Sequence, residues 1–191
     1  MPSEPMQNLD EEELLHLAIE AGRNERHGEA IDYLKQAAAR PRASGKIHFL
    51  LGANHAQIGL TERAIEDFRR ALELEPQLSA ARFQLGFLLL GNARVAEGLE
   101  VLEPLEALGE QDPYFHFKRA MAHLCRDEFA DCENALRRGI AANTANAALN
   151  VEMQRILERV HAAMSGGQPP AGGDDAQPGQ ILLSAYTKTL N

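Results

Sequence analysis

Gly45 to Leu78 reads GKIHFLLGANHAQIGLTERAIEDFRRALELEPQL, and the fold follows from how this stretch recurs. Stepping by 34 residues returns the same kind of side chain. Ala30, Ala64, Gly98 and Cys132 form a series of small residues, and Ala18, Gly52, Gly86 and Ala120 form a second. Leu34, Phe68, Leu102 and Leu136 form a large apolar series, and Leu17, Leu51 and Leu85 another that Arg119 breaks. A period of this length with fixed small positions describes pairs of antiparallel helices, each unable to bury its apolar face alone and therefore stacked on its neighbours. Four such units follow without gaps, at 11–44, 45–78, 79–112 and 113–146.

Within 45–78 the boundaries have local causes. Gly59 can end the first helix, Thr61 can cap the second with Glu62 and Glu66 near its positive end, and Pro76 closes the unit. The same chemistry places helices near 11–23, 28–40, 45–58, 61–74, 79–91, 95–108, 113–125 and 129–142. Pro104 falls inside the sixth of these, where a missing N–H should kink it. A ninth helix, 147–164, has Leu149, Met153, Ile156, Leu157 and Val160 on one face and Asn150, Glu152, Gln154, Arg155, Glu158 and Arg159 elsewhere, as a terminal cap requires. Residues 1–10 read as a flexible N-terminus. The stretch 165–180, SGGQPPAGGDDAQPGQ, reads as a disordered linker with too little apolar surface to fold, and 181–191, ILLSAYTKTLN, as an apolar tail that could lead into more chain.

The markers His48, Leu51, Gly52, His55, Ala64, Phe68 and Pro76, with Leu85, Gly86, Leu89, Gly98 and Leu102 in the next unit, resemble the tetratricopeptide-repeat (TPR) family. The resemblance spans about three quarters of the chain. It implies an all-α TPR superhelical solenoid of four helix-turn-helix repeats with a C-terminal capping helix. It also implies a protein-protein interaction module, a scaffold or adaptor that is not an enzyme.

Composition agrees with an all-helical chain: 45% hydrophobic, 5% aromatic and no tryptophan. The net charge of −9 argues against nucleic acid and against anionic membrane surfaces, since both reward clustered Lys and Arg. No apolar run approaches the roughly 20 residues of a spanning helix, and Met1 to Asp10 lacks the pattern of a secretory signal, so a cytoplasmic location without membrane insertion is expected. Cys125 and Cys132 fit no zinc spacing and read as small buried side chains.

A search for chemistry finds no phosphate loop, nucleophile elbow or metalloprotease pair, so no catalytic residue, cofactor or metal is expected. His48 and His55 recur as His116 and His123. Seven residues of helix rise about 10.5 Å, too far for either pair to share a metal at about 2 Å per ligand. They read instead as substitutes for the large packing residues of the repeat. Glu11, Glu12 and Glu13 read as a solvated helix start.

By resemblance, TPR ligands lie on the first helix of each hairpin. The matching positions are Leu15 and Ile19, then Lys46, Phe49 and Ala53, then Ala80, Phe83, Phe87 and Leu90, then Tyr114, Phe117, Met121 and Leu124, with Lys118 beside them. From these the expected peptide-binding groove is Phe49, Ala53, Phe83, Phe87, Leu90, Tyr114, Phe117, Lys118, Met121 and Leu124. Its side chains suit an apolar trough for a partner peptide or helix, and not the Lys, Asn and Arg carboxylate clamp of chaperone-tail adaptors. Asp112, Pro113, Phe115 and Phe117 also resemble the acidic TPR chaperones of type III secretion translocators. An alternative function is thus a cytoplasmic chaperone of a secreted substrate. Ile181, Leu182, Leu183, Tyr186 and Leu190 are candidate ligands for the groove, of their own chain or of a neighbour through self-association.

Overall fold

The computed structural model describes residues 9–41 and 43–165, and all but the first residue of the expected linker, the tail and most of the N-terminal stretch lie outside them. Helix follows helix through the described residues: α1 (Glu11–Arg23), α2 (His27–Ala38), α3 (Gly45–Gln57), α4 (Thr61–Leu74), α5 (Ser79–Gly91), α6 (Val95–Leu102), α7 (Pro113–Leu124), α8 (Phe129–Ala142) and α9 (Ala147–Met164). No strand occurs among the described residues. These bounds fall within two residues of those expected except at α6. There the α-helix stops at Leu102 and a 3₁₀ turn, Glu103–Leu108, takes over. Pro104 is the cause, since it supplies no N–H for the next rung of the ladder.

The period is written in the backbone of the hairpin turns. Glu25, Gly59, Ala93 and Asp127, each 34 residues after the last, all take left-handed conformations with φ between 57° and 75°. The N–H groups of Arg26, Leu60, Arg94 and Glu128 then reach back to the carbonyls of Ala21, His55, Leu89 and His123 at 2.9–3.0 Å. That is the six-to-one bond of a Schellman ending. The carbonyls of the same four residues open the next helix by accepting from Ala30, Ala64, Gly98 and Cys132, the first small series. Thr61, expected to cap α4, is instead its first residue, and Leu60 stands at the cap without a side-chain bond. The turn supplies the cap through its backbone.

Only one of these left-handed positions is glycine. An L-residue there costs roughly 1–2 kcal/mol, against about 0.5–1 kcal/mol of extra backbone entropy for glycine. Ala93→Gly is therefore expected to raise the unfolding free energy by about 0.5–1 kcal/mol, which urea denaturation would read.

Contacts divide the chain into two compact units between Ala81 and Arg82. In the first, Leu14, Ala18, Ile31, Leu34, Ala37, Ile47 and Leu51 make one buried cluster joining α1, α2 and α3. Asp10 and Glu13 form a reciprocal capping box at the start of α1, which gives the acidic run there its structural use. Glu75 reaches across to accept from the Gly45 N–H at 2.9 Å, taking the place of a Ser44 cap.

In the second unit the buried cluster runs from Phe83 and Phe87 through Leu102, Phe117, Met121 and Leu136 to Leu149, Met153, Ile156, Leu157 and Val160. The apolar stripe of α9 is thus used up on the inside, as a cap requires. Burial pushes the Glu152 carboxyl of α9 up to about 7, opposed by Arg155. Because the native state holds this proton to higher pH than the unfolded chain, stability should fall as pH rises from about 4.5 to about 7. Glu152→Gln removes that loss. Its unfolding free energy should exceed wild type by on the order of 2–3 kcal/mol at pH 8 and match it near pH 4.

Candidate functional site

Between α1, α2 and α3 the first unit leaves an open pocket of about 270 Å³. Ala18, Ile19 and Gly22 of α1 form one wall, His27 and Leu34 of α2 another, and Leu50, Ala53, Asn54 and Gln57 of α3 the third. The pocket exists because small residues stand where large ones would close it. Ile19 is 41% exposed at the edge.

The polar groups at its base are already engaged. Asn54, 8% exposed, donates its amide to the Leu50 carbonyl at 2.8 Å, and its oxygen lies 2.9 Å from His27 Nδ1. An Asn oxygen can only accept, so the ring carries its proton on Nδ1 when it bonds there. What remains for a ligand is an apolar wall with Gln57 at the rim. A volume just under the roughly 300–1,000 Å³ of small-molecule sites suits one or two peptide side chains.

The expected groove falls in two different environments. Ala53 lines this pocket, while Phe49 is half-buried and packs its ring 6.0 Å from that of Phe68. In the second unit the expectation of an exposed trough is corrected. Phe83, Phe87, Leu90, Phe117, Met121 and Leu124 are each at most 1% exposed. Phe83 sits 5.9 Å from both Phe87 and Phe117 and 5.7 Å from Tyr114, and all but Tyr114 belong to the buried cluster that includes the inner face of α9. Tyr114 is half-buried, with its hydroxyl pushed above the usual range by burial and by Asp112. Lys118 is not a free groove cation either. Its ammonium lies 3.0 Å from Glu103 and 2.9 Å from Glu106. Burial alone would lower its pKa, but those two bonds outweigh it and hold the charge.

The Asp-Pro-x-Phe-x-Phe stretch serves the fold: Asp112 accepts from the Tyr114 N–H to cap α7, and Phe115 and Phe117 are buried. The repeated histidines have partners that spacing alone did not show. His55 Nδ1 meets Asp67 at 2.6 Å, with His48 Nδ1 3.8 Å from the other oxygen of that carboxylate. His116 Nε2 bonds the Glu110 carbonyl, and His123 Nδ1 bonds Glu128 at 2.6 Å. His123, Glu128 and Asp131 bring ligand atoms within 4.8 Å of one another at the α7–α8 turn, where Arg126 also binds Glu128. Cys132 is buried as expected, its thiol pushed up to about 12, whereas Cys125 is only half-buried.

Residues 45–78 match the tetratricopeptide repeat family. The chain carries a tetratricopeptide repeat. Its TPR fold is also that of two solved structures, each 17% identical in sequence. For "MamA 41-end from Desulfovibrio magneticus RS-1" the TM-score is 0.60, with 94% of this chain and 93% of that one covered. For "MamA RS-1 ArsTM double mutant" it is 0.59 over the same shares. At that identity the likeness concerns the fold. No curated protein is significantly similar to the chain. TPR folds are typically protein-interaction modules and generally non-catalytic. Among the described residues no helix is long and apolar enough to cross a membrane.

Proposed function

We propose that this chain is a scaffold or adaptor whose α1–α3 pocket receives an apolar side chain of a partner peptide or helix. The observation that carries the reading is the open pocket whose walls are mainly apolar and whose buried Asn54 already has its hydrogen bonds. An unpaired buried polar group would reject an apolar guest, and a paired one tolerates it. The pocket also lies where the family resemblance places ligand contacts, at Ile19 and Ala53. The apolar groove proposed for recognition is thereby centred on the first unit and not on the aromatic cluster of the second.

Selection from a random peptide library against the immobilised protein tests this. Sequences with Leu, Ile or Phe at helical spacing should be enriched, and Ala53→Arg, which puts a long charged chain into the pocket, should weaken them by about tenfold or more. Enriched peptides that bind Ala53→Arg as well as wild type would show that the pocket is not their binding site.

A further inference from the structure

The occupant of the pocket can be named from the chain itself, an inference that rests on reading the pocket as a recognition site. We propose that the segment Ile181 to Leu190 of a second copy of this chain docks in the α1–α3 pocket, so that the protein associates head to tail.

Three observations meet here. The pocket is apolar, open and of side-chain size. The segment places Leu183, Tyr186 and Leu190 at positions i, i+3 and i+7, the spacing with which one face of a helix enters a groove. Lys188 is the one charged side chain of Ile181 to Leu190, and it is positive, whereas the chain as a whole carries −9. Charge therefore favours the approach and apolar burial holds the contact. The sixteen residues of 165–180 have a composition whose reach is about 20–24 Å, enough to present the segment away from α9. Pocket and segment are different surfaces, so each copy can give one contact and receive another. Association of this heterologous kind grows with concentration.

The test uses the intact chain and two variants, Leu183→Asp/Tyr186→Asp, which spoils the segment, and Ala53→Arg, which blocks the pocket. Light scattering of wild type should show a mass that rises above the 21.0 kDa of one chain as concentration increases. Each variant alone should associate about tenfold more weakly or worse, with helix content by circular dichroism unchanged. Mixing them should restore association, because each supplies the part that the other lacks. Synthetic ILLSAYTKTL should compete with wild-type association.

A wild-type chain that stays at the mass of one copy up to about 1 mM, a binding energy of only about 4 kcal/mol, would overturn the proposal. Amide protection at Ile19 and Ala53 that depends on the segment but not on concentration would overturn it too, by placing the chain's own segment in the pocket. If library-selected peptides still bind the pocket while ILLSAYTKTL does not, the proposal falls and the interaction-module reading stands.

Discussion

Phe117→Ala is expected to lower the unfolding free energy by about 3–5 kcal/mol, the cost of removing a fully buried aromatic ring and leaving its volume unfilled. Phe117 is 0% exposed, lies 5.9 Å from Phe83 and shares a buried cluster with Met153 and Ile156 of α9. The backbone of Gly139 also approaches it so closely that a Cβ there would stand 2.4 Å from the ring. A side chain held this tightly is part of the core. Chemical denaturation of the variant measures the effect. A change within about 0.5 kcal/mol, the level of an ordinary surface substitution, would return Phe117 to the groove in which the family resemblance placed it.

The second large effect concerns the repeat that decides the fold. Phe68→Ala should also cost about 3–5 kcal/mol, since the ring is 1% exposed. Gly52 packs directly against it, and a Cβ at Gly52 would meet the Phe68 ring at 2.7 Å. Gly52→Ala should therefore overpack, costing about 1–3 kcal/mol although alanine is the better helix former by about 1 kcal/mol. With Phe68→Ala in place the added methyl has room, so the double variant should lose at least about 1 kcal/mol less than the sum of the single ones. Additive losses would mean that the small and large series of the repeat do not face each other.

That pairing explains why the fold was so readable from sequence. Series of residues at a fixed period leave a trace that survives changes at any one copy, and Gly52 against Phe68 has a counterpart in Gly86 against Leu102. The turns were less legible, because their left-handed residues are Glu25, Gly59, Ala93 and Asp127, and only the glycine announces its conformation. A purely local rule likewise chose Thr61 as a cap where the Schellman turn had already supplied one.

The site was less readable still. Register alone picks out the expected groove positions, and register does not say whether a neighbouring helix covers them. Phe83, Phe87 and Met121 are enclosed in one cluster with Phe117, Leu136 and the inner face of α9, a tertiary fact beyond the repeat itself. The pocket in the first unit is legible only in part, through Ile19 and Ala53, for the converse reason. Small residues such as Ala18, Gly22 and Ala53 do not by themselves announce the open space they leave, and the Asn54 to His27 contact joins residues 27 positions apart. One trace of it was present: an Asn at a place in α3 flanked by apolar and small residues asks for a buried partner.

If an apolar partner segment enters the α1–α3 pocket as proposed, the residues that line the pocket change environment, and a titration of isotope-labelled protein with a library-selected apolar peptide, followed residue by residue through its amide resonances, reads that change. Shifts should concentrate at Ile19, Gly22, Ala53 and Asn54. Saturable shifts confined to the second unit, or none at about 1 mM peptide, the range of binding too weak to matter, would contradict the proposal.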